Sequence, residues 1–152
     1  MIRIMFVCHG NICRSTMAEF LMKDFVKKLG KENEFYIESS ATSTEEIGNP
    51  VHYGTARILD ALNIDYSKKR AKQLRLSDYN NFDYFIGMDE YNRRNMKRML
   101  GGDADNKVSL LLDYTDNPRE VADPWYTGNF KITYDDVMEG IKAFYSTLTS
   151  GK

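Results

Sequence analysis

Apolar residues fall along this chain in two rhythms. Short runs over 2–8, 35–39, 84–88 and 108–112 are rich in Ile, Val, Phe and Leu and bounded by polar or glycine-bearing stretches, which predicts buried strands. Between them the apolar period lengthens to that of a helix. Met17, Phe20, Leu21, Phe25 and Leu29 share one face of a stretch beginning at Thr16, and Thr16 with Glu19 has the spacing of a capping box. A second helix is predicted from Tyr53 to Leu62, ahead of Asn63-Ile64-Asp65. A third runs from Glu90 to Leu100, with Gly101-Gly102 as its stop. The last begins near Thr133, where Asp136 completes another box, and carries Val137, Ile141, Phe144, Tyr145 and Leu148 on a stripe. Alternating strands and helices predict an α/β fold, a doubly wound four-stranded parallel sheet with helices on both faces. At 152 residues the chain fits one domain, 1–152, long enough to bury about two-thirds of its unfolded surface. No repeat, linker or low-complexity segment interrupts it.

The first strand runs into Cys8-His9-Gly10-Asn11-Ile12-Cys13-Arg14-Ser15. A cysteine at the end of a strand and an arginine at the mouth of a helix enclose a tight loop. Its backbone N–H groups are expected to turn inward and cradle a phosphate dianion above the thiol. Only the thiolate is a nucleophile, and inward N–H groups, a helix N-terminus and a guanidinium all favour it. Five intervening residues let the chain curl back once, so that the planar fork of Arg14 grips two phosphate oxygens, which a lysine would do less well. Gly10 permits close approach or positive φ. Asn11 tolerates a left-handed conformation, and its amide can brace the loop. Ser15 can donate its hydroxyl to the sulfur. A cysteine six positions before an arginine is a common coincidence. The serine, the internal Gly-Asn, the strand before and the helix after are what make it specific.

Cleaving a phosphate ester also needs an acid at the leaving oxygen. Asp123-Pro124-Trp125-Tyr126-Thr127-Gly128 reads as a surface loop that proline stiffens and that holds Asp123 extended. Alone, Asp-Pro would be an ordinary turn; its pairing with the Cys8 loop makes Asp123 the acid, ahead of Asp113, Asp116 and Asp135. Activity is then expected to peak on the acid side of neutrality. Trp125 and Tyr126 could wall a slot for a flat ring, or be ordinary loop aromatics.

On Val7 to Ser15, Ser39-Ser40-Ala41-Thr42, Phe82 to Asp89 and Asp123-Pro124-Trp125-Tyr126, the chain resembles the low-molecular-weight protein tyrosine phosphatases over nearly its whole length. The resemblance implies that Cys8 is the nucleophile, Arg14 the phosphate clamp and Asp123 the general acid. It implies that His9, Gly10, Asn11, Ile12, Cys13 and Ser15 surround the phosphate, with Asn11, Ser15 and Ser39 holding the loop and tuning the thiolate. Trp125 and Tyr126 become the aromatic wall, and Tyr126 a candidate for phosphorylation. Four positions depart from the usual pattern: His9 for leucine at the pocket floor, Thr16 for proline, Glu45 for an aromatic residue in the cleft, and Lys69 for a histidine supporting the loop asparagine. These bear on substrate preference and loop rigidity, and the reaction needs none of them.

Two cysteines do not make a disulfide framework. Cys13 is either a small buried hydrophobe or a thiol that resolves an oxidised Cys8; the resemblance supports the second. The only histidines, His9 and His52, have no ligand spacing, so neither metal nor other cofactor is expected. His52 reads as a solvated loop residue. The basic groups Lys68, Lys69, Arg70, Lys72, Arg75 and Arg93, Arg94, Lys97, Arg98 read as solvated faces. The methionines read as core filler.

A formal charge of −1 and a pI near 6.1 argue against nucleic acid as a partner. With no secretory signal or membrane-spanning run, a cytoplasmic monomer or weak dimer is expected, acting on tyrosine-phosphorylated proteins or peptides. Two rival readings are an arsenate reductase-like enzyme, which needs further cysteines after Cys13, and a silent phosphotyrosine-binding module, which could dispense with thiol or acid.

Overall fold

A computed structural model describes residues 1–149. Its centre is a four-stranded sheet with strand order β2-β1-β3-β4, in which every pairing is parallel. The strands are β1 (Ile2–Cys8), β2 (Phe35–Ala41), β3 (Tyr84–Gly87) and β4 (Val108–Leu110). The helices are α1 (Arg14–Lys28), α2 (Tyr53–Ala61), α3 (Glu90–Met99), the single turn α4 (Pro124–Thr127) and α5 (Phe130–Thr149).

The period of two along β1 sorts the core. Ile4, Phe6 and Cys8 point into a cluster with Met17 and Leu21 of α1 and Ile141 and Phe144 of α5. Met5 and Val7 point the other way, into Leu74, Phe82, Phe85, Met96 and Leu100, against α3. Residues Ile4 to Cys8 are all buried, because a central parallel strand is covered on both faces. Truncating a ring such as Phe6, fully buried, to alanine would cost about 3–5 kcal/mol. Met5, Met17, Met22, Met88 and Met96 are all at most 1% exposed, the core role expected of them.

The predicted elements are all present, with shifted ends. β2 runs on to Ala41, β3 stops at Gly87, and β4 stops at Leu110 before a 3₁₀ turn over Leu111–Tyr114. The first helix starts at Arg14, so Thr16 and Glu19 form no capping box. Cys13 takes the cap position without a side-chain bond, Thr16 Oγ1 donates to the Cys13 carbonyl at 2.9 Å, and Glu19 turns to Ser39 and Lys23. The last helix starts at Phe130, where Asn129 Oδ1 accepts from Ile132 N at 3.0 Å, and Asp136 is taken by Arg119 at 2.7 Å. Gly101, at φ 79°, follows α3 and supplies the left-handed stop.

β1 lies between β2 and β3. From β1 the chain steps to one side to form β2, and later crosses to the other side to form β3. The carboxyl end of β1 is therefore a switch point, where open parallel sheets leave a crevice for ligands. Cys8 is the last residue of that strand.

Candidate active site

The loop after Cys8 turns its polar groups in two opposite directions. Its carbonyls face the scaffold: Cys8 O accepts from Thr42 N, His9 O from Ser43 N, Ile12 O from His52 N and Cys13 O from Met17 N, at 2.9 to 3.1 Å. Thr55 Oγ1 also donates to the Cys13 carbonyl, at 3.2 Å. Backbone hydrogen bonds outside the regular elements use no N–H of residues 10–13 as a donor. Carbonyls outward and N–H groups unspent, at the uncapped start of a 15-residue helix, make an anion cradle.

Asn11 makes the curl possible. Its φ is 59°, in the left-handed region that asparagine tolerates, and it is 1% exposed. Its amide nitrogen donates to Ser15 Oγ and to Ser39 Oγ, each at 2.8 Å, and its Oδ1 accepts from Lys72 N at 3.1 Å. Both amide protons are then used. Ser39 Oγ donates to Glu19 Oε1 at 2.5 Å. Ser15 Oγ also accepts from the Cys8 thiol, 3.0 Å away, and its own hydroxyl proton is available to that sulfur whenever the thiol is ionised. Gly10 serves by close approach, its φ not being positive: a Cβ there would stand 3.3 Å from Glu46 Cγ.

Lys69 belongs to this support. Its Nζ donates to the Ser39 carbonyl at 2.7 Å and lies 3.5 Å from Glu19 Oε1, with both side chains at or below 10% exposure. Burial pulls its ammonium below the usual lysine range, and Glu19 only partly compensates. The expectation of a solvated basic face therefore fails at Lys69, because the chain after β2 folds it back over the loop.

Arg14 is 3% exposed. Its Nη1 donates to Asp89 Oδ2 at 2.8 Å and to the Val121 carbonyl at 3.0 Å. Nη2 is 3.5 Å from Asp123 Oδ2. Two of the five N–H donors thus hold the fork, a third makes the long contact to Asp123, and the other two remain for an oxyanion. Burial works against its charge, but the Cys8 sulfur, Asp89 and Asp123 outweigh it and hold the guanidinium above its ordinary value.

Asp123 caps α4: its Oδ1 accepts from Trp125 N at 3.0 Å while Oδ2 faces Arg14. The segment expected as a surface loop is one helical turn closed by Gly128 at φ 70°, since proline at the first helical position favours a helix start. A cavity of about 270 Å³ is lined by Cys8, His9, Gly10, Ile12, Cys13 and Arg14, by Glu45 and Glu46, and by Asp123, Trp125 and Tyr126. Trp125 and Tyr126 are 64% and 85% exposed and stand at its rim. His9 pairs with Glu45 at 2.9 Å, both exposed, so His9 is a rim residue and not a pocket floor.

Cys13 is buried beside Cys8, and both are free thiols. Burial first, then the negative Cys8 sulfur and Asp123, push the Cys13 thiol up to about 12. The rival acids lie elsewhere: Asp113 pairs with Arg93 and Asp135 with Lys131. His52 is not a solvated loop residue. It caps α2 by accepting from Gly54 N at 3.1 Å and stacks on Phe130 with ring centroids 5.4 Å apart.

Asp89 joins the site from outside the residues that the sequence motifs mark. Its one signal is its place, an acid at the carboxyl end of the strand beside β1, opening a predicted helix. Glu19 and Glu46 gave no such signal. Among the described residues no cluster of His, Cys, Asp or Glu is placed to hold a metal ion, and no helix is long and apolar enough to cross a membrane.

A parallel α/β sheet carrying a cysteine under an anion cradle, a clamped arginine and a facing carboxyl defines a cysteine-centred phosphate-binding domain. The family model described as low molecular weight phosphotyrosine protein phosphatase matches residues 3–152, and the chain belongs to that family. It is 36% identical over 154 residues to the low molecular weight protein-tyrosine-phosphatase YfkJ of Bacillus subtilis, covering 100% of this chain and 99% of that one. It is 36% identical over 146 residues to the low molecular weight phosphotyrosine protein phosphatase of Gallus gallus, covering 93% and 92%. The crystal structure of YfkJ superposes with a TM-score of 0.93, covering 100% of this chain and 97% of that chain. That of SP-PTP, a low molecular weight protein tyrosine phosphatase from Streptococcus pyogenes, does so with a TM-score of 0.87 at 44% identity, covering 98% and 94%.

Proposed function

We propose that this chain hydrolyses phosphotyrosine in proteins or peptides, and small aryl phosphates, through a phosphocysteine intermediate. In the first step the Cys8 thiolate attacks phosphorus. The bond from phosphorus to the tyrosine oxygen breaks, and that oxygen takes the proton carried on the Asp123 carboxyl. The loop N–H groups and the free donors of Arg14 hold the three equatorial oxygens, over which the transition-state charge is spread. In the second step water attacks phosphorus and gives its proton to the Asp123 carboxylate. The phosphorus–sulfur bond breaks, the departing sulfur is met by the Ser15 hydroxyl, and inorganic phosphate leaves. The scheme uses no metal.

The observation that carries this reading is the connected chain of hydrogen bonds from Glu19 through Ser39, Asn11 and Ser15 to Cys8 Sγ. A module that only bound phosphate would have no use for a hydroxyl held beside a thiol. The test is Cys8→Ser assayed with p-nitrophenyl phosphate in EDTA. The variant is expected to bind phosphate without turnover, while the parent turns over without added metal. Appreciable hydrolysis by Cys8→Ser, or full dependence of the parent on metal, would overturn the mechanism.

A further inference from the structure

Beside the pocket under Arg14 lies a larger cavity of about 820 Å³ whose walls include His52, Tyr53, Arg57, Ile58, Trp125 and Phe130. It runs between α2 and the start of α5. Four rings build its floor and shoulder. His52 stacks on Phe130 at an interplanar angle of 10°, meets Tyr53 with centroids 4.4 Å apart and meets Trp125 edge-on at 5.7 Å. Phe130 seats directly over Gly54, where any Cβ would collide with the ring. Yet Tyr53 and Trp125 remain 69% and 64% exposed. The groove is thus built from within and left uncovered outside.

Two further observations say what covers it. Trp125 lines both cavities, so the groove adjoins the mouth of the catalytic pocket across the indole. The mouth is also electrically polarised. Glu45 and Glu46 stand on the loop side. Arg57 stands on the groove side, exposed on α2 and without an ion-pair partner among the described residues. Lys131, the groove's other cation, is already engaged by Asp135 at 2.9 Å.

We infer that this groove binds the stretch of a tyrosine-phosphorylated polypeptide that flanks the phosphotyrosine, with an apolar side chain against the rings and a carboxylate against Arg57. The inference rests on the phosphotyrosine reading of the Cys8 pocket and names the kind of substrate that pocket serves. An extended chain advances about 3.4 Å per residue. A residue two or three places from the phosphotyrosine therefore clears the Trp125 indole and lies over the groove. Glu45 and Glu46 repel the same carboxylate from the opposite side, so the charges orient the peptide as well as attract it. Small aryl phosphates never leave the first pocket and do not sample the groove.

The test measures binding apart from turnover. Two labelled peptides, each with one phosphotyrosine, are titrated into Cys8→Ser protein and followed by fluorescence anisotropy. One carries Leu and Glu two and three places from the phosphotyrosine, on either side in turn; the other carries Ala there. The Leu/Glu peptide is expected to bind about tenfold more tightly. That advantage shrinks to within about twofold when Arg57→Glu or Tyr53→Ala is added. Both are exposed positions whose variants can be checked for folding by circular dichroism. Equal affinity of the two peptides, an advantage untouched by both added substitutions, or no binding of either peptide overturns the inference. A dimer seen in sedimentation that Arg57→Glu abolishes, with no peptide preference, also overturns it and assigns the groove to a second copy of the chain. Failure of the parent enzyme to hydrolyse p-nitrophenyl phosphate sinks the phosphatase reading instead, and the affinity ratio still decides the groove.

Discussion

Arg14 and Asp89, 75 positions apart in the chain, meet at 2.8 Å with the arginine only partly committed. The pair is almost dry, at 4% and 17% side-chain exposure, and Asp89 Oδ1 meanwhile caps α3 by accepting from Asn92 N at 2.8 Å. One carboxylate thus ties the clamp to the end of β3. Asp89→Asn keeps an acceptor for the cap and removes the charge that aims the guanidinium. Its kcat/KM on p-nitrophenyl phosphate is expected to fall about tenfold, a loss of about 1.4 kcal/mol, with little change in Tm. Asp89→Ala loses the cap as well, adding about 1 kcal/mol of destabilisation. Steady-state kinetics beside thermal melts separate the two effects; a parental kcat/KM in Asp89→Asn would detach the pair from catalysis.

Ser39 is the joint between the buried Glu19 carboxylate and Asn11. Ser39→Ala leaves an acceptor and a donor facing an empty site, at about 1–3 kcal/mol. Asn11 then holds its left-handed conformation with one tether fewer, and Ser15 is no longer fixed as a donor to sulfur. The expected outcome is a lower Tm together with a several-fold lower kcat. A drop in Tm with unchanged kcat would mean that the chain of bonds braces the fold without aiming the thiol.

What was legible in the sequence divides by range. Strand and helix rhythm is local, so the four strands, the order of elements and the parallel sheet could be read from Ile2–Cys8 and its counterparts. The cradle was legible because all of its parts from Cys8 to Ser15 are contiguous. Asp123 was legible only through the Cys8 loop, which calls for an acid, since an Asp-Pro pair alone is a turn. The partners of Arg14 were not legible, because Asp89 and Val121 reach it only after β3 is laid beside β1. Lys69 and His52 were misread for the same reason. A lysine in a basic run and a histidine before a helix look solvated until tertiary packing covers them. Glu19 looked like the end of a capping box because its spacing from Thr16 is right. The helix begins two residues earlier, which turns that carboxylate toward Ser39.

Asp123 divides its oxygens between two tasks, one capping α4 and the other facing Arg14. Asp123→Asn preserves the cap and removes the proton that the proposed mechanism transfers. Hydrolysis of phosphotyrosine is expected to slow about 10²–10³-fold. p-Nitrophenyl phosphate suffers less, because its leaving oxygen is a better leaving group. Comparing the two substrates in one variant is the check. An equal loss on both would show that Asp123 acts by position or charge and not by giving a proton.

Cys13 supplies a pH dependence whose sign follows from its burial. Its thiol is raised from 9.0 to about 12 in the folded chain. Between those values the unfolded chain releases the Cys13 proton while the folded chain keeps it. The stabilising contribution of the neutral thiol is complete below pH 9 and is lost as pH rises toward 12. Melts of the parent and of Cys13→Ala across that range are expected to converge, the parent losing stability more steeply. The same shift keeps Cys13 a neutral thiol in the ordinary working range, so iodoacetamide should modify Cys8 and spare Cys13. A neutral neighbour can still trap an oxidised Cys8: once the sulfenic acid forms, the negative sulfur that helps to hold Cys13 protonated is gone. Cys13→Ser is accordingly expected to keep most activity but to be inactivated by peroxide without recovery in dithiothreitol. Full recovery of that variant would remove Cys13 from any redox role and leave it a buried apolar contact.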